Sequence, residues 1–259
     1  LHPAVRAGLG SEGFDDIEGV ELHHQGDLPA RSGIGSSSAF AVGLINVLRA
    51  MRGKTTPPRE LAVAAIDLEQ NKLQEKVGCQ DQVASAFGGL NVINFERDGS
   101  FTVTPVALDD TCRGEFERRL MLFYTGTSRL SSDFAKKLVD NLDANTAHLK
   151  RMQAMVPEAL RLLYSGDFDA FGHLLHESWM LKRQLTSGIS TTTIDQAYEA
   201  ALRAGALGGK LLGAGGTGFM VFVVPPERQA NVRQALSHLI NVPVQIDFSG
   251  STIIYQKND

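Results

Sequence analysis

Cysteine is nearly missing from this sequence: there are two in 259 residues, Cys79 and Cys112. Two thiols cannot make a disulfide framework, and neither sits at a metal-ligand spacing. Such sparing use fits a reducing, cytoplasmic compartment. Long apolar runs are missing as well. Nothing approaches the roughly 18 consecutive apolar residues of a membrane-spanning helix, and no signal-peptide pattern opens the chain. Positive charge is not in excess either. Lys and Arg number 25 against 29 Asp and Glu, a formal net charge of -4. That balance argues against nucleic acid or a membrane surface as partner, so an anionic small molecule must be met by a local site.

What is present is an ordinary globular composition, 43% hydrophobic and 21% charged, in a chain long enough for one large or two compact domains. Residues 19–25 read as a short strand, and 27–35 as a loop rich in Gly, Pro and Ser. A helix is expected from Ser36, with Phe40, Leu44, Val47, Leu48 and Met51 at helical spacing. Pro57-Pro58 opens another helix over about 59–73, and a third runs over about 80–87. Strands follow over 90–95 and 101–106, joined by the hairpin signal Asp98-Gly99. The polar stretch 109–115 reads as the boundary between two domains, 1–115 and 116–259. A strand at 120–124 leads into helices from 131 to about 204, divided by Pro157, Gly166 and Gly188. The strand 219–224, a helix over about 227–239, and strands near Val244 and Ile253 complete the reading. Without regular βαβ units, the expected class is α+β. The opening at Leu1 reads as loop-like, and as the start of a piece whose N-terminal part is absent.

Two glycine-rich stretches carry the chemistry. The first, Pro29-Ala30-Arg31-Ser32-Gly33-Ile34-Gly35-Ser36-Ser37-Ser38, ends where a helix begins. Glycine lets the backbone approach a ligand. A helix start offers free N–H groups and partial positive charge to a phosphate, and serine hydroxyls add donors and a hard metal ligand. Helix capping by serine alone would also explain the run. It is not a Walker A loop, since no Lys-Ser or Lys-Thr follows the last glycine. The second stretch spans Gly208 to Gly218. Its Gly213, Gly215 and Gly218 satisfy a dinucleotide-binding spacing, but that motif needs a helix after it. Residues 219–224 read as a strand, which excludes a nicotinamide oxidoreductase. Five glycines between Gly208 and Gly216 point to a backbone packed close to a ligand, with a tight turn as the alternative.

Two acids stand out for phosphoryl transfer, which needs charge neutralisation and positioning. Glu69 lies toward the end of an apolar helix. Asp81 lies between Gln80 and Gln82 at a helix start. Taken alone, each could be an exposed helix charge or a cap. His173 and His176 share a helix face and could be a metal pair, though a surface or half-buried role is simpler. Phe168, Phe171, Leu175 and Trp179 form a stripe that reads as core packing.

In combination these residues resemble the GHMP kinases, the group of galactokinase, homoserine kinase and mevalonate kinase. Residues 29–38 look like that family's phosphate loop, Gly213 to Phe219 like its C-terminal glycine motif, and Gly78-Cys79-Gln80-Asp81-Gln82 like the segment with its catalytic aspartate. Glu69, twelve positions before Asp81, falls where the magnesium-binding glutamate is expected. The resemblance implies a two-domain fold with a ferredoxin-like C-terminal domain, and ATP and Mg2+ as cofactors. It implies a catalytic Asp81, a nucleotide site of Gly33, Gly35, Ser36, Ser37, Ser38, Gly213, Gly215 and Gly216, and magnesium held by Ser37 and Glu69. Residues 124–129, 177–182 and 205–210 resemble the D-glycero-D-manno-heptose 7-phosphate kinases. They suggest Gly126, Arg129 and Lys182 as substrate contacts, with Arg183 a further candidate. The partner implied is a small sugar phosphate, with a homodimer one option for assembly. Two departures stand beside the match. The family's first motif is not found, so the N-terminal domain reads as incomplete, and Thr217 stands where glycine is usual. A different sugar (fucose, arabinose or galactose) and a non-catalytic sensor on the same scaffold are the rival readings.

Overall fold

The computed structural model describes residues 2–14, 20–29, 32–126 and 145–256. The chain divides into two compact units, and the division is not a single cut. One unit is Leu1–Ala30, Gly35–Pro105 and Ile246–Asp259; the other is Arg31–Ile34 and Val106–Gln245. This departs from the expected division at 115/116. The polar stretch there is no linker but part of a helix, Asp110–Arg119, whose start Asp109 caps by accepting from the Cys112 N–H at 2.8 Å. Asp and Asn favour such caps because a short side-chain acceptor satisfies a free helical N–H.

The first unit is helical with one hairpin. Helix α1 (Pro3–Ser11) opens with Pro3 at its first position and His2 as cap, so the beginning of the chain is not a loop. Helices α2 (Ser36–Met51) and α3 (Pro58–Asp67) follow. The latter passes into a single π-helical stretch, Leu68–Lys72, and then comes α4 (Gln80–Phe87). Strands β1 (Asn91–Phe95) and β2 (Phe101–Pro105) pair antiparallel, Phe95 opposite Phe101. The core is Val42, Ile45, Leu61, Ala62, Ala65, Leu68, Val83 and Phe101. The buried face of α2 is turned from the expected one: Val47 and Met51 are exposed, while Ala41, Val42 and Ile45 are buried. Small residues flanking the apolar stripe shifted its centre.

Residues 20–25 carry no regular structure, so no strand forms there. The end of the chain is likewise irregular: there is no strand at Val244 or at Ile253. Ile254 and Tyr255 are 96% and 80% exposed, and a ladder needs a hydrogen-bonded neighbour. The C-terminal segment is instead held by specific contacts, with Gly89 N–H donating to Asp247 O at 2.6 Å and Asn46 Nδ2 to Ser251 Oγ at 3.0 Å.

The second unit contains α5 (Asp110–Arg119), β3 (Leu120–Tyr124), α6 (Thr146–Ser165), α7 (Phe168–Gln184), α8 (Thr192–Arg203), β4 (Gly208–Leu211), β5 (Phe219–Val223), α9 (Gln229–Ala235) and β6 (Ile240–Val242). Its sheet has the order β4-β5-β3-β6, with every ladder antiparallel. That bears out the α+β expectation. Pro157 lies inside α6 and does not divide it. The carbonyl it frees, on Gln153, is on an exposed residue and can turn to water. The helices cover one core, in which Trp179, Tyr198, Phe222, Met220 and Leu211 are buried together.

Candidate active site

In the first unit the serine run does not cap anything. The N-cap of α2 is Gly35, in the left-handed conformation (φ 74°), and no side chain caps the helix. The first helical bond is Ala39 N–H to Gly35 O, 2.9 Å, and the N–H groups of Ser36, Ser37 and Ser38 find no acceptor among the described residues. A start left open in this way presents free N–H donors and the positive end of the helix. Gly35 is needed for more than its φ. A Cβ there would lie 3.1 Å from Asp81 Cγ and 3.3 Å from its Oδ2, so the Asp81 carboxylate, on the first turn of α4, rests against the backbone where α2 begins.

One turn on, Ser38 Oγ donates to Glu69 Oε2 at 2.7 Å, and Gln82 Nε2 donates to the same oxygen. Glu69 is 2% exposed and Ser38 3%. The π-helical stretch that carries Glu69 displaces it from the register of α3. Oxygen Oε1 of Glu69 takes no hydrogen bond from the described residues, so half of the carboxylate is held and half is open. The structure thus joins Glu69 to Ser38, whereas Ser37, the expected co-ligand, is exposed. Gln82 is a partner that sequence reasoning missed. Its position beside Asp81 was the only sign of it.

In the second unit, Gly33 and Gly213 meet back to back. A Cβ on Gly213 (φ 65°) would lie 2.6 Å from Gly33 Cα and 2.7 Å from Gly33 O. Gly216 N–H donates to Ile189 O at 2.9 Å, and Gly215 packs on the same Ile189. Thr125 Oγ1 both donates to Gly218 O (2.8 Å) and accepts from Gly218 N–H (3.1 Å). The N–H groups of Gly213, Ala214, Gly215 and Thr217 have no acceptor among the described residues, leaving a cradle of donors. Thr217 is not among the residues with positive φ, so its backbone does not ask for glycine. Not all five glycines of this stretch serve a ligand. Gly208 and Gly209 lie in β4, where a Cβ on Gly208 would be 2.0 Å from Gly172 O of α7. Gly208 admits the close approach of α7, and Gly209 that of β5, where a Cβ would be 2.4 Å from Val221 O.

Lys182, at the end of α7, donates from Nζ to Leu211 O (3.1 Å) and Gly213 O (2.5 Å), tying the helix to the glycine loop. Burial, and then the charge of Lys210, push its pKa down to about 7. Arg183 is paired with Asp195 at 2.8 Å, so it is not a free cation for a ligand. Gly126 sits exposed after β3. Arg129 lies outside the described residues. His176 is bonded through Nδ1 to Tyr198 Oη at 2.8 Å and stacks on its ring, rather than facing a metal. Among the described residues no group of three or more His, Cys, Asp or Glu could hold a metal ion, and no helix is long and apolar enough to cross a membrane.

Comparison with known proteins gives the family. Residues 4–89 match the model of the GHMP kinases N terminal domain, and residues 159–241 that of the GHMP kinases C terminal domain, together more than half of the chain. The chain belongs to the GHMP kinase family and has its two-domain fold. It is 31% identical over 218 residues to D-glycero-alpha-D-manno-heptose 7-phosphate kinase of Campylobacter jejuni, a match covering 83% of this chain and 64% of that protein. It is 28% identical to L-fucokinase/L-fucose-1-P guanylyltransferase of Bacteroides fragilis, covering 83% of this chain and 23% of that one. Among solved structures, a D-glycero-D-manno-heptose 1-phosphate kinase from Bacteriodes thetaiotaomicron superposes with a TM-score of 0.68 at 24% identity, over 98% of this chain and 76% of that one. The chain thus spans less than two thirds of the length of these two curated relatives.

Proposed function

We propose that the chain is an ATP-dependent sugar kinase that phosphorylates the anomeric hydroxyl of D-glycero-D-manno-heptose 7-phosphate to the 1,7-bisphosphate. One observation carries the kinase reading. Two carboxylates are gathered about the open start of α2, Asp81 against Gly35 and Glu69 against Ser38. An uncapped helix start takes up phosphate, and phosphoryl transfer needs a metal-binding acid and a hydroxyl-orienting one beside it.

The donors fit magnesium, which prefers hard oxygens and needs only one or two carboxylates besides phosphate and water. Glu69, through its open Oε1, and the exposed Ser37 hydroxyl would hold the ion, which supplies charge neutralisation at the phosphates. The N–H groups of Ser36 to Ser38 bind phosphate oxygens; in the second unit the N–H groups of Gly213 and Gly215 are left to serve a nucleotide, whereas that of Gly216 is taken by Ile189 O. Asp81 orients the sugar hydroxyl and accepts its proton as the hydroxyl oxygen bonds to the γ-phosphorus. The bond from that phosphorus to the bridging oxygen breaks, and ADP leaves. An anomeric hydroxyl is more acidic than an ordinary alcohol, so positioning weighs as much as basicity.

The Campylobacter jejuni relative and the stretches 124–129, 177–182 and 205–210 support the heptose substrate. The Bacteroides fragilis relative favours a second reading, a fucose-type kinase. A ferredoxin-like second domain accords with the strand order β4-β5-β3-β6, and a cytoplasmic setting with two free cysteines. The test is ADP release by the full chain with MgATP and a panel of the heptose 7-phosphate, fucose, arabinose, galactose and mevalonate. Turnover with the heptose phosphate, and a new anomeric phosphate by 31P NMR, is expected. Turnover with another sugar alone replaces the substrate, MgATP binding without turnover on any acceptor makes the chain a sensor, and no nucleotide binding removes the reading.

A further inference from the structure

Two lysines of the second unit have no counter-charge among the described residues. Lys182 reaches two carbonyl oxygens but no carboxylate. Lys210 makes no hydrogen bond or ion pair with the described residues. It lies two positions after Gly208 on β4, and alternation puts it on the face of the sheet that Gly208 turns against α7. That placement explains why it is half-buried. The charged groups on the neighbouring elements are already engaged: Glu177 with Arg151 at 2.7 Å, Glu158 with the same arginine, Asp195 with Arg183, and His176 with Tyr198. Burying two lysine amino groups on packed neighbouring elements, with no counter-charge among the described residues, is unfavourable. Unpaired cations kept at such a cost mark a place where an anion arrives from outside.

We propose that Lys182 and Lys210 together form a seat for a phosphate dianion. A monoanion would leave one charge uncompensated, whereas a dianion balances both. The identity of the dianion as a phosphoryl group rests on the kinase reading, and its source is either the sugar phosphate or the nucleotide. Lys182 acts here as a binding group as well as the tie between α7 and the glycine loop, because two N–H donors suffice for its carbonyl partners and the third is left for the ligand. Binding the dianion also draws a proton from solution onto the seat. With burial and Lys210 holding its pKa down to about 7, Lys182 is largely neutral at about pH 8 and becomes charged when the dianion binds.

The experiment is titration calorimetry on the full chain with inorganic phosphate, MgATP, heptose 7-phosphate and the unphosphorylated heptose, in buffers of different ionisation enthalpy. The variants are Lys182→Met, Lys210→Met and Lys210→Arg, each checked for an intact unfolding transition. Uptake approaching about one proton per phosphate bound at about pH 8 is expected, turning to net release at about pH 6, where Lys182 is already charged and the phosphate must shed its own proton to bind as the dianion. Each Met variant should weaken phosphate about 10-fold or more, the cost of losing a charged hydrogen bond, and Lys210→Arg should restore most of it. A loss confined to the sugar phosphate assigns the seat to the sugar, and one confined to MgATP assigns it to the nucleotide. Wild-type affinity for every phosphate probe in both Met variants, or no proton uptake, overturns the proposal. Because binding is read without turnover, failure of the kinase assay leaves this result standing, and the reverse holds too.

Discussion

At Asp81 the side chain rests on backbone and accepts one long bond, from Gln80 Nε2 at 3.4 Å, with no charged partner among the described residues, so its carboxylate keeps acceptor capacity for a hydroxyl. Replacing it with Asn keeps the shape against Gly35 and removes the proton acceptor. We expect Asp81→Asn to lower kcat by about 10²–10⁴-fold, with MgATP affinity within a few-fold of the parent, read by steady-state kinetics and nucleotide titration. Unchanged turnover would take Asp81 out of the mechanism. Ser38 makes a different kind of contribution. Its hydroxyl is a buried donor to a buried carboxylate, and such bonds contribute about 1.5–3 kcal/mol. Ser38→Ala should therefore lower unfolding free energy by about that amount in urea titrations; a loss within error would mean that Gln82 alone holds Glu69. Neither partner of Glu69 was legible in the sequence. Ser38 and Gln82 lie 31 and 13 positions away, and no local period connects them. The acid itself was picked out only through the family resemblance.

Among the elements, those with a strong local signal were read correctly: α2 from its glycine–serine start, the β1–β2 hairpin from Asp98-Gly99, and β3 and β5 from continuous apolar runs. The ones missed were decided by neighbours. Strand β4 is half glycine, and it is a strand because β5 pairs with it, Gly209 opposite Phe222. Helix α5 is almost wholly polar, and just one side chain, Phe116, is buried. Residues 243–256 have strand-like composition but form no strand. The glycine loop offers a test of tertiary demand against local demand. Gly213 and Gly53 have similar backbones, φ 65° and 71°, but a Cβ meets Gly33 in one case and open space in the other. Gly53→Ala should cost about 1–2 kcal/mol, the left-handed strain alone, and leave kinetics unchanged. Gly213→Ala should cost more and raise the KM for the phosphate ligand. Equal costs and unchanged KM would show that the Gly33–Gly213 contact yields freely.

For the whole molecule, the sequence indicated two units but not their weave. The returns of Arg31–Ile34 to the second unit and of Ile246–Asp259 to the first depend on contacts far apart in the chain, which composition does not record. Charge has a global consequence too. Folding holds Lys182 near a pKa of about 7 against an ordinary 10.5, and burial pushes Lys210 down as well. Above pH 7 the unfolded chain still carries protons that the folded chain has lost. Stability of the ligand-free protein should then rise with pH, with a slope of up to about 1.4 kcal/mol per pH unit from Lys182. Two groups act the other way at higher pH. Burial raises the Cys112 thiol, and Tyr198 is pushed up to about 12, so their unfolded forms ionise first, above about pH 8.5 and 10. The carboxylates lowered by their partners, Glu158 and Glu177 through Arg151, lose their contribution only in acid. The window from about pH 7 to 8.5 therefore belongs to Lys182. Urea unfolding across it should give a rising free energy in the parent chain and a flatter line in Lys182→Met. A level line in the parent would mean that Lys182 stays protonated in the fold.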